Sequence, residues 1–116
     1  AKKQATKSNH SAVSKYIAAE LQKCNLGETT AMSGNLTCSG KTAAKVVTAG
    51  VAALADFKNP FDTSKKAVRS SLSNKSDADI GYTSLGSSGT TVIVKTCWET
   101  SCATIENRSQ TPVEVE

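Results

Sequence analysis

Residues 13–24 read VSKYIAAELQKC, and this stretch decides how the chain folds. Its apolar side chains recur at the spacing of one face of an α-helix; they are Val13, Tyr16, Ile17, Leu21 and Cys24. Polar and charged side chains occupy the other face; they are Ser14, Lys15, Glu20 and Lys23. The sequence therefore predicts a first helix over residues 1–24 that packs one stripe against a core.

The residues before this stretch carry no signal for the start of a helix. Residues 1–9 contain no capping signature and no large apolar side chain. Neither a signal peptide nor a membrane-spanning run of apolar residues is present in the sequence. We therefore expect an export segment upstream of Ala1, removed by processing or truncation. At the other end, Gly27 is suited to the left-handed conformation that closes a helix.

The four cysteines form two couples that are close in sequence, Cys24 with Cys38 and Cys97 with Cys102. An even number of cysteines in a small chain is typical of disulfides in an exported protein. Four cysteines allow three connectivities, and we favour these two pairs because short loops close most readily. A zinc site is disfavoured, since it requires several closely spaced couples of Cys or His.

Length and composition predict one domain, residues 1–116, with a modest core. The chain has 116 residues, a common domain size, and no Pro/Gly/Ser-rich linker divides it. Ser and Thr make up about a quarter of the chain, so its surface is rich in hydroxyl groups. The net charge of +4 comes from lysines scattered along the chain, as on a solvated surface. Because arginines and aromatic residues are few, dedicated nucleic-acid binding is disfavoured.

The connecting region, residues 25–76, is predicted to contain a loop and a second helix. Residues 27–40 are rich in Thr, Ser, Gly and Asn, and the first disulfide would close this loop. The second helix is predicted over residues 41–57, with Ser39 as its N-cap and a proline shortly after its end. Residues 60–72 are predicted to add one short helical turn.

Residues 77–116 change to alternating apolar and polar side chains separated by turn signals. This pattern predicts an antiparallel meander of three or four strands, at residues 80–85, 91–98, 102–107 and 113–115. The second cysteine couple would then cross-link the mouth of one hairpin. The predicted fold class is α+β, with the N-terminal helix packed on the C-terminal sheet.

The sequence assembles no catalytic, cofactor or metal site. The single histidine, His10, is predicted to lie on the solvated surface of the first helix. The stretch SGKT at residues 39–42 is similar to the end of a phosphate-binding loop, but Asn35 stands where that loop requires glycine. Asp77 and Asp79 are interpreted as turn residues, because no series of calcium ligands follows them. The chain is therefore predicted not to be an enzyme.

The predicted hairpin tip carries the candidate recognition residues Trp98, Glu99 and Thr100. Two interpretations of Trp98 stay open. It is either an exposed contact residue or an aromatic ring that covers the neighbouring disulfide.

The order of these parts resembles the soluble domain of a bacterial type IV pilin. The resemblance covers the whole chain: a helix with a polar face, a connecting region closed by Cys24 and Cys38, a terminal meander, and a loop bounded by Cys97 and Cys102. The chain differs from the family in its second helix and in the hairpin position of its second disulfide.

The resemblance implies a structural role as a subunit of an extracellular filament, or fimbrium, that supports adhesion, motility or DNA uptake. An apolar half-helix upstream of Ala1 would anchor the subunit in the inner membrane before assembly. The same half-helix would then join it to copies of itself or to other pilins. The implied further partners are a host surface or DNA. Without the half-helix, we expect the chain to be monomeric.

The alternative is a small secreted binding module, such as an adhesin or an inhibitor, held together by its disulfides. This module would use the Trp98 hairpin to hold its partner, so Trp98→Ala would abolish binding. Its native chain would begin near Ala1, whereas the filament subunit requires apolar residues before that position.

Overall fold

The structure of the protein is a computed structural model that describes residues 1–115. The chain is α+β, as predicted. Its helices are α1, Lys2–Asn25, and α2, Ala43–Ala53, and short 3-10 helices lie at Asp77–Asp79 and Ile105–Asn107. The strands are β1 Thr30–Ala31, β2 Leu36–Thr37, β3 Lys58–Asn59, β4 Asp62–Lys66, β5 Val68–Ser70, β6 Thr83–Ser88, β7 Thr91–Cys97 and β8 Arg108–Glu114.

Strands β5, β6, β7 and β8 form one sheet in that order. The three strands β6, β7 and β8 pair antiparallel, which confirms the predicted meander. The fourth strand, β5, comes from the connecting region and runs parallel to β6. Parallel neighbours require a long crossover, and the segment between Ser70 and Thr83 supplies it. The prediction of a purely antiparallel sheet is therefore wrong at this edge.

The residues after Pro60 form strands, and the predicted helical turn is absent. Asn59 accepts a hydrogen bond from the backbone N–H of Phe61 at 2.8 Å, and Asp62 accepts one from the N–H of Ser64 at 3.1 Å. Side-chain turns of this kind compete with helix formation. They direct the chain into β4, which pairs antiparallel with β3.

The predicted strand at residues 102–107 is also wrong, because this segment is a loop that ends in a 3-10 helix. The preceding residue, Ser101, has a φ of 69°, which turns the chain out of the extended conformation. Cys97 lies opposite Arg108, so the second disulfide closes the loop beyond the paired residues of the hairpin. Strand β8 continues through Pro112, which an edge strand tolerates.

Helix α2 is shorter than the predicted range of residues 41–57. Its N-cap is Thr42 and not Ser39, because the Thr42 hydroxyl accepts a hydrogen bond from the N–H of Lys45 at 3.2 Å. Gly50 lets the helix approach β6 closely, since a Cβ added at this position would lie 3.1 Å from Cδ1 of Leu85.

Both helices contribute to one core on the face of the sheet that carries Leu85, Val92 and Val94. The stripe of α1 predicted from the sequence faces this core; its fully or nearly fully buried members are Val13, Ile17 and Leu21. Burial stabilises each side chain of this size by about 1.5–3 kcal/mol relative to exposure. The stripe thus fixes α1 to the sheet.

The N-terminus of α1 has unfavourable helix-end chemistry. Ala1 is the N-cap and makes no side-chain hydrogen bond, and the first turn contains no acidic residue. Lys2 and Lys3 lie there instead, where positive charge opposes the helix dipole. Across residues 1–115, the structure contains no helix with the length and hydrophobicity needed to cross a membrane.

Both expected disulfides are present, Cys24 with Cys38 and Cys97 with Cys102. The first ties the last turn of α1 to the residue after β2. It closes the short β1–β2 hairpin, whose Met32 is fully buried in the core.

Candidate functional site

The loop between β7 and β8 holds the half-buried ring of Trp98 beside the N-terminal turns of α1. The ammonium group of Lys7 lies 4.9 Å from the centroid of this ring, a cation–π contact. The ring of His10 meets it in an edge-to-face arrangement, with centroids 6.3 Å apart. The indole N–H is buried without an acceptor among residues 1–115, so packing holds the ring. Trp98 thus has a packed side and an accessible side.

Covalent and hydrogen bonds hold the loop around Trp98 in one conformation. The disulfide of Cys97 and Cys102 closes it, and the N–H of Trp98 donates to the carbonyl of Asn107 at 2.9 Å. The side-chain amide of Asn107 in turn donates to the carbonyl of Thr100 at 2.9 Å. The N–H of Cys102 donates to a carboxylate oxygen of Asp77, also at 2.9 Å. Any ligand of this loop meets a preorganised surface.

The turn between β3 and β4 brings Phe61 to the same end of α1. The side chain of Asn59, a residue that is 2 % exposed, stabilises this turn by hydrogen bonds. Its side chain accepts from the N–H of Phe61 and donates to the carbonyl of Ile80 at 3.0 Å. Gly81 leaves room for that side chain, because a Cβ at Gly81 would overlap the Asn59 amide.

The first turns of α1 place three exposed lysines against these two loops. The ammonium of Lys2 lies 5.8 Å from the centroid of the Phe61 ring, and Lys3 forms an ion pair with Glu99 at 3.2 Å. An open cleft of about 480 Å³ lies between the loops and the helix, and Thr100 also lines it. We call this surface the basic aromatic patch; its residues are Lys2, Lys3, Lys7, Phe61, Trp98 and Glu99.

The structure overturns the prediction that His10 lies on the solvated surface of α1. His10 is buried, and its ring nitrogens lie 2.6 Å from Oγ1 of Thr96 and 2.8 Å from Oγ1 of Thr111. Burial lowers the pKa of His10, because the imidazolium form loses hydration. The spacing from His10 to Val13 and Ile17 places it on the apolar stripe, which is the signal that could have revealed its burial.

Glu20 is the second polar residue whose position was predicted wrongly, since the sequence pattern assigned it to the solvent face of α1. It lies on the core side of α1 and accepts a hydrogen bond from the backbone N–H of Met32. The ammonium of Lys23 lies 2.8 Å from its other carboxylate oxygen. Hydrogen bonding by Lys23, reinforced by the Met32 N–H, lowers the pKa of Glu20 despite its burial. The carboxylate ties α1 to the β1–β2 hairpin.

Asp77 and Asp79 shape the 3-10 turn, as predicted, and they also have wider contacts. Burial of Asp79 favours its neutral form, but hydrogen bonds from Ser73 and Arg69 outweigh that effect and lower its pKa. Asp77 holds the N–H of Cys102. The acidic pair therefore supports the loop that carries Trp98.

The remaining candidates from the sequence are a metal site and the SGKT stretch at residues 39–42. Among residues 1–115, the structure contains no group of three His, Cys, Asp or Glu side chains able to hold a metal ion. The SGKT stretch is a helix start: Thr42 caps α2, and the ammonium of Lys45 donates to the carbonyl of Gly40.

A second cationic surface lies near the end of the sheet, beside β7 and β8. A cleft of about 370 Å³ is lined by Lys75, Lys95 and Arg108, together with Gln110 and the exposed side chain of Ile105. Arg108 is oriented by hydrogen bonds to the carbonyls of Cys102 and Ala103. Anionic groups are the ligands that this cluster of lysine and arginine side chains favours.

No protein-family model, no curated protein and no solved structure matches this chain.

Proposed function

We propose that the chain is the globular domain of a type IV pilin-like filament subunit, with a structural role. The observation that carries this proposal is the packing of the 24-residue helix α1 along the meander of β6, β7 and β8. A disulfide-closed loop directly follows β7, the central strand of that meander. This order of long helix, connecting region, meander and cysteine-bounded loop is the architecture of the pilin resemblance.

The pilin resemblance implies an apolar helix upstream of Ala1. A helix that continues upstream would place Lys2 and Lys3 in its interior, where they no longer oppose the dipole of a helix end. It would also satisfy the N–H groups that no side chain caps at present. The upstream helix would anchor the subunit in the inner membrane and pack beside its copies in the filament core.

The surfaces that meet neighbouring subunits follow from this arrangement. They are the solvent side of α1 and the connecting segments at residues 27–40 and 59–75. Strand β4, which is exposed along its whole length, lies in the second of these segments. Contacts through these surfaces are secondary to burial of the apolar helix, so residues 1–116 alone should remain monomeric.

DNA uptake is one role within this proposal. The cationic cleft of Lys75, Lys95 and Arg108 would bind the phosphate backbone, and such binding weakens steeply as salt increases. Lys75→Ala and Lys95→Ala should then reduce both the affinity for DNA and the salt dependence. Equal DNA affinity in these variants would exclude the cleft from that role.

Filaments sheared from the source cells test the proposal. Antibodies against residues 1–116 should label the sheared filaments by immunogold electron microscopy and should detect an inner-membrane pool of the same protein. Recovery of the protein only as a soluble secreted species would contradict the proposal. That result would support the secreted binding module. In that case, the Trp98→Ala substitution should abolish binding of the module to its partner.

A further inference from the structure

We propose that the basic aromatic patch binds the anionic headgroups of a phospholipid bilayer and seats the domain against the membrane before assembly. The inference rests on the proposed function, because it takes an apolar helix upstream of Ala1 as the membrane anchor. It adds a second point of contact between the subunit and the bilayer. The lipid partner is defined by its chemistry, a surface that contains anionic phospholipids.

The position of the patch relative to α1 is the first argument. Lys2, Lys3 and Lys7 lie within about 10 Å of Ala1 along the helix axis, at a rise of about 1.5 Å per residue. The headgroup layer on each side of a bilayer is roughly 5–7 Å thick. If an upstream helix spans the bilayer and its apolar part ends at Ala1, these lysines lie at or just above the headgroup layer.

Two loops that are distant in sequence bring aromatic rings to this level. Phe61 lies under Lys2, and Trp98 lies under Lys7. Aromatic side chains, Trp above all, favour the membrane interface, where one part of the ring is in an apolar layer and another in a polar one. Both rings are half-buried, so each retains a surface to offer to the bilayer.

Charge complementarity is the second argument. The patch contains three lysines and a single carboxylate, Glu99, which pairs with Lys3. Lys2 and Lys7 rest on aromatic faces, and such contacts leave ammonium N–H groups free for phosphate oxygens. Lysines held near an anionic membrane surface are attracted to it, and salt weakens this attraction.

The same features favour a bilayer over a nucleic acid. Binding of a single strand requires a groove with successive stacking platforms and benefits from arginine. The patch has two aromatic rings and no arginine, since Arg69 packs over Tyr82 and Arg108 lies in the other cleft. A flat anionic surface that touches several lysines at once fits this arrangement better.

The single tryptophan of the chain makes the site directly observable. Because Trp98 is the only Trp, intrinsic fluorescence reports on the patch alone. The structure contains no free cysteine among the described residues, and the four cysteines of the sequence are all in disulfides. A cysteine added before Ala1 can therefore be coupled selectively to a maleimide lipid, which replaces the proposed anchor.

The experiment places the tethered chain of residues 1–116 on vesicles of phosphatidylethanolamine and phosphatidylglycerol. The same tethered chain on phosphatidylcholine vesicles is the comparison. Lipids brominated near the headgroup quench a tryptophan at the interface. We expect a blue shift of Trp98 emission and at least twofold quenching on the anionic vesicles only, with recovery of the emission at high salt. The variant Lys2→Ala/Lys3→Ala/Lys7→Ala should lose most of this quenching.

A matched variant, Lys15→Ala/Lys45→Ala/Lys65→Ala, removes the same charge from exposed positions outside both the patch and the cleft of Lys75, Lys95 and Arg108. It should quench like the wild type, and circular dichroism should show that both variants are folded. Unchanged Trp98 emission on anionic vesicles, or equal loss in the two variants, would overturn the inference. So would stronger quenching by a single-stranded oligonucleotide in solution than by the vesicles.

These outcomes are separate from those that decide the proposed function. If the native protein carries the apolar segment but tethered Trp98 remains in water, the membrane contact fails and the filament subunit stands. If the native chain begins near Ala1, both proposals fail together.

Discussion

His10 and Thr111 are far apart in sequence, yet Nε2 of the imidazole lies 2.8 Å from Oγ1 of the threonine. Nδ1 of the same ring lies 2.6 Å from Oγ1 of Thr96. One buried side chain of α1 therefore joins the helix to both β7 and the edge strand β8. The neutral imidazole can donate to one hydroxyl and accept from the other, so both contacts are satisfied without a charge.

This contact predicts that the protein loses stability in mild acid. Burial lowers the pKa of His10 in the folded state below its value of about 6.5 in the unfolded chain. The unfolded state then binds more protons as the pH falls through 6.5 towards the folded pKa, so the free energy of unfolding decreases over that range. Urea denaturation at a series of pH values measures this slope. His10→Gln should flatten it, and an unchanged slope in the variant would assign the effect to another group.

The contact between Glu20 and Met32 predicts a large loss of stability in Glu20→Ala. The substitution leaves the N–H of Met32 buried without its partner, which costs about 1–3 kcal/mol. Glu28→Ala is the matched control, since Glu28 is exposed and lies just beyond the end of α1. It should change stability by less than about 0.5 kcal/mol. Chemical denaturation measures both. Similar losses in the two variants would contradict the role of the carboxylate.

The pKa of Glu20 gives this contact its own pH dependence. Lys23 and the Met32 N–H lower the pKa in the folded state, so the stabilisation is complete above the unfolded value of 4.5 and is lost as the pH falls through the folded pKa. The acid limb of the stability curve should therefore be shallower in Glu20→Gln than in the wild type. An acid limb of the same steepness would show that other carboxyl groups dominate it.

The two disulfides should differ in their effect on stability and on fluorescence. Cys24 and Cys38 are 14 residues apart, and on the loop-entropy estimate their replacement by serine costs about 3 kcal/mol. Cys97 and Cys102 are 5 residues apart, for which the estimate is about 2 kcal/mol. Thermal unfolding measures both losses. Only the second pair should also shift the emission of Trp98, and an equal shift in both variants would contradict the local role of that loop.

The contact between Gly81 and Asn59 predicts a difference between two Gly→Ala variants. Gly81 and Gly27 both have positive φ, at 80° and 101°. Ala at Gly27 meets nothing within 4 Å and should cost about 1 kcal/mol for its backbone conformation alone. Ala at Gly81 also overlaps the Asn59 amide and should cost at least about 1–2 kcal/mol more. Equal midpoints of urea denaturation for the two variants would contradict this prediction, because they would show that the Asn59 turn accommodates the added Cβ at no cost in stability.

Local patterns were sufficient to predict the parts of the fold that have a regular period. The stripe of Val13, Ile17 and Leu21 predicted how α1 faces the core. Alternation predicted β7, and short spacing predicted both disulfides. Each of these features depends on residues that are close in sequence. The strand predicted at residues 80–85 was displaced, because β6 begins and ends three residues later, at Thr83–Ser88.

Features that depend on distant partners could not be predicted in the same way. His10 and Glu20 are polar side chains that are buried because each has hydrogen-bond partners distant in sequence. The partners of His10 are hydroxyl groups on β7 and β8, and the partner of Glu20 is the backbone N–H of Met32. Strand β5 becomes a strand through its parallel pairing with β6. The candidate site joins residues as far apart in sequence as Lys3 and Glu99. The sequence indicated only the part of this site that lies in the loop of Trp98.

The mature N-terminus of the native protein is the measurement that tests the filament proposal most directly. The protein should be isolated from its source cells, and its terminal peptide should be sequenced by mass spectrometry. We predict a methylated Phe followed by roughly two dozen apolar residues before Ala1, enough for one membrane-spanning helix. A mature chain that begins at or near Ala1 would contradict the account and would favour a secreted binding module.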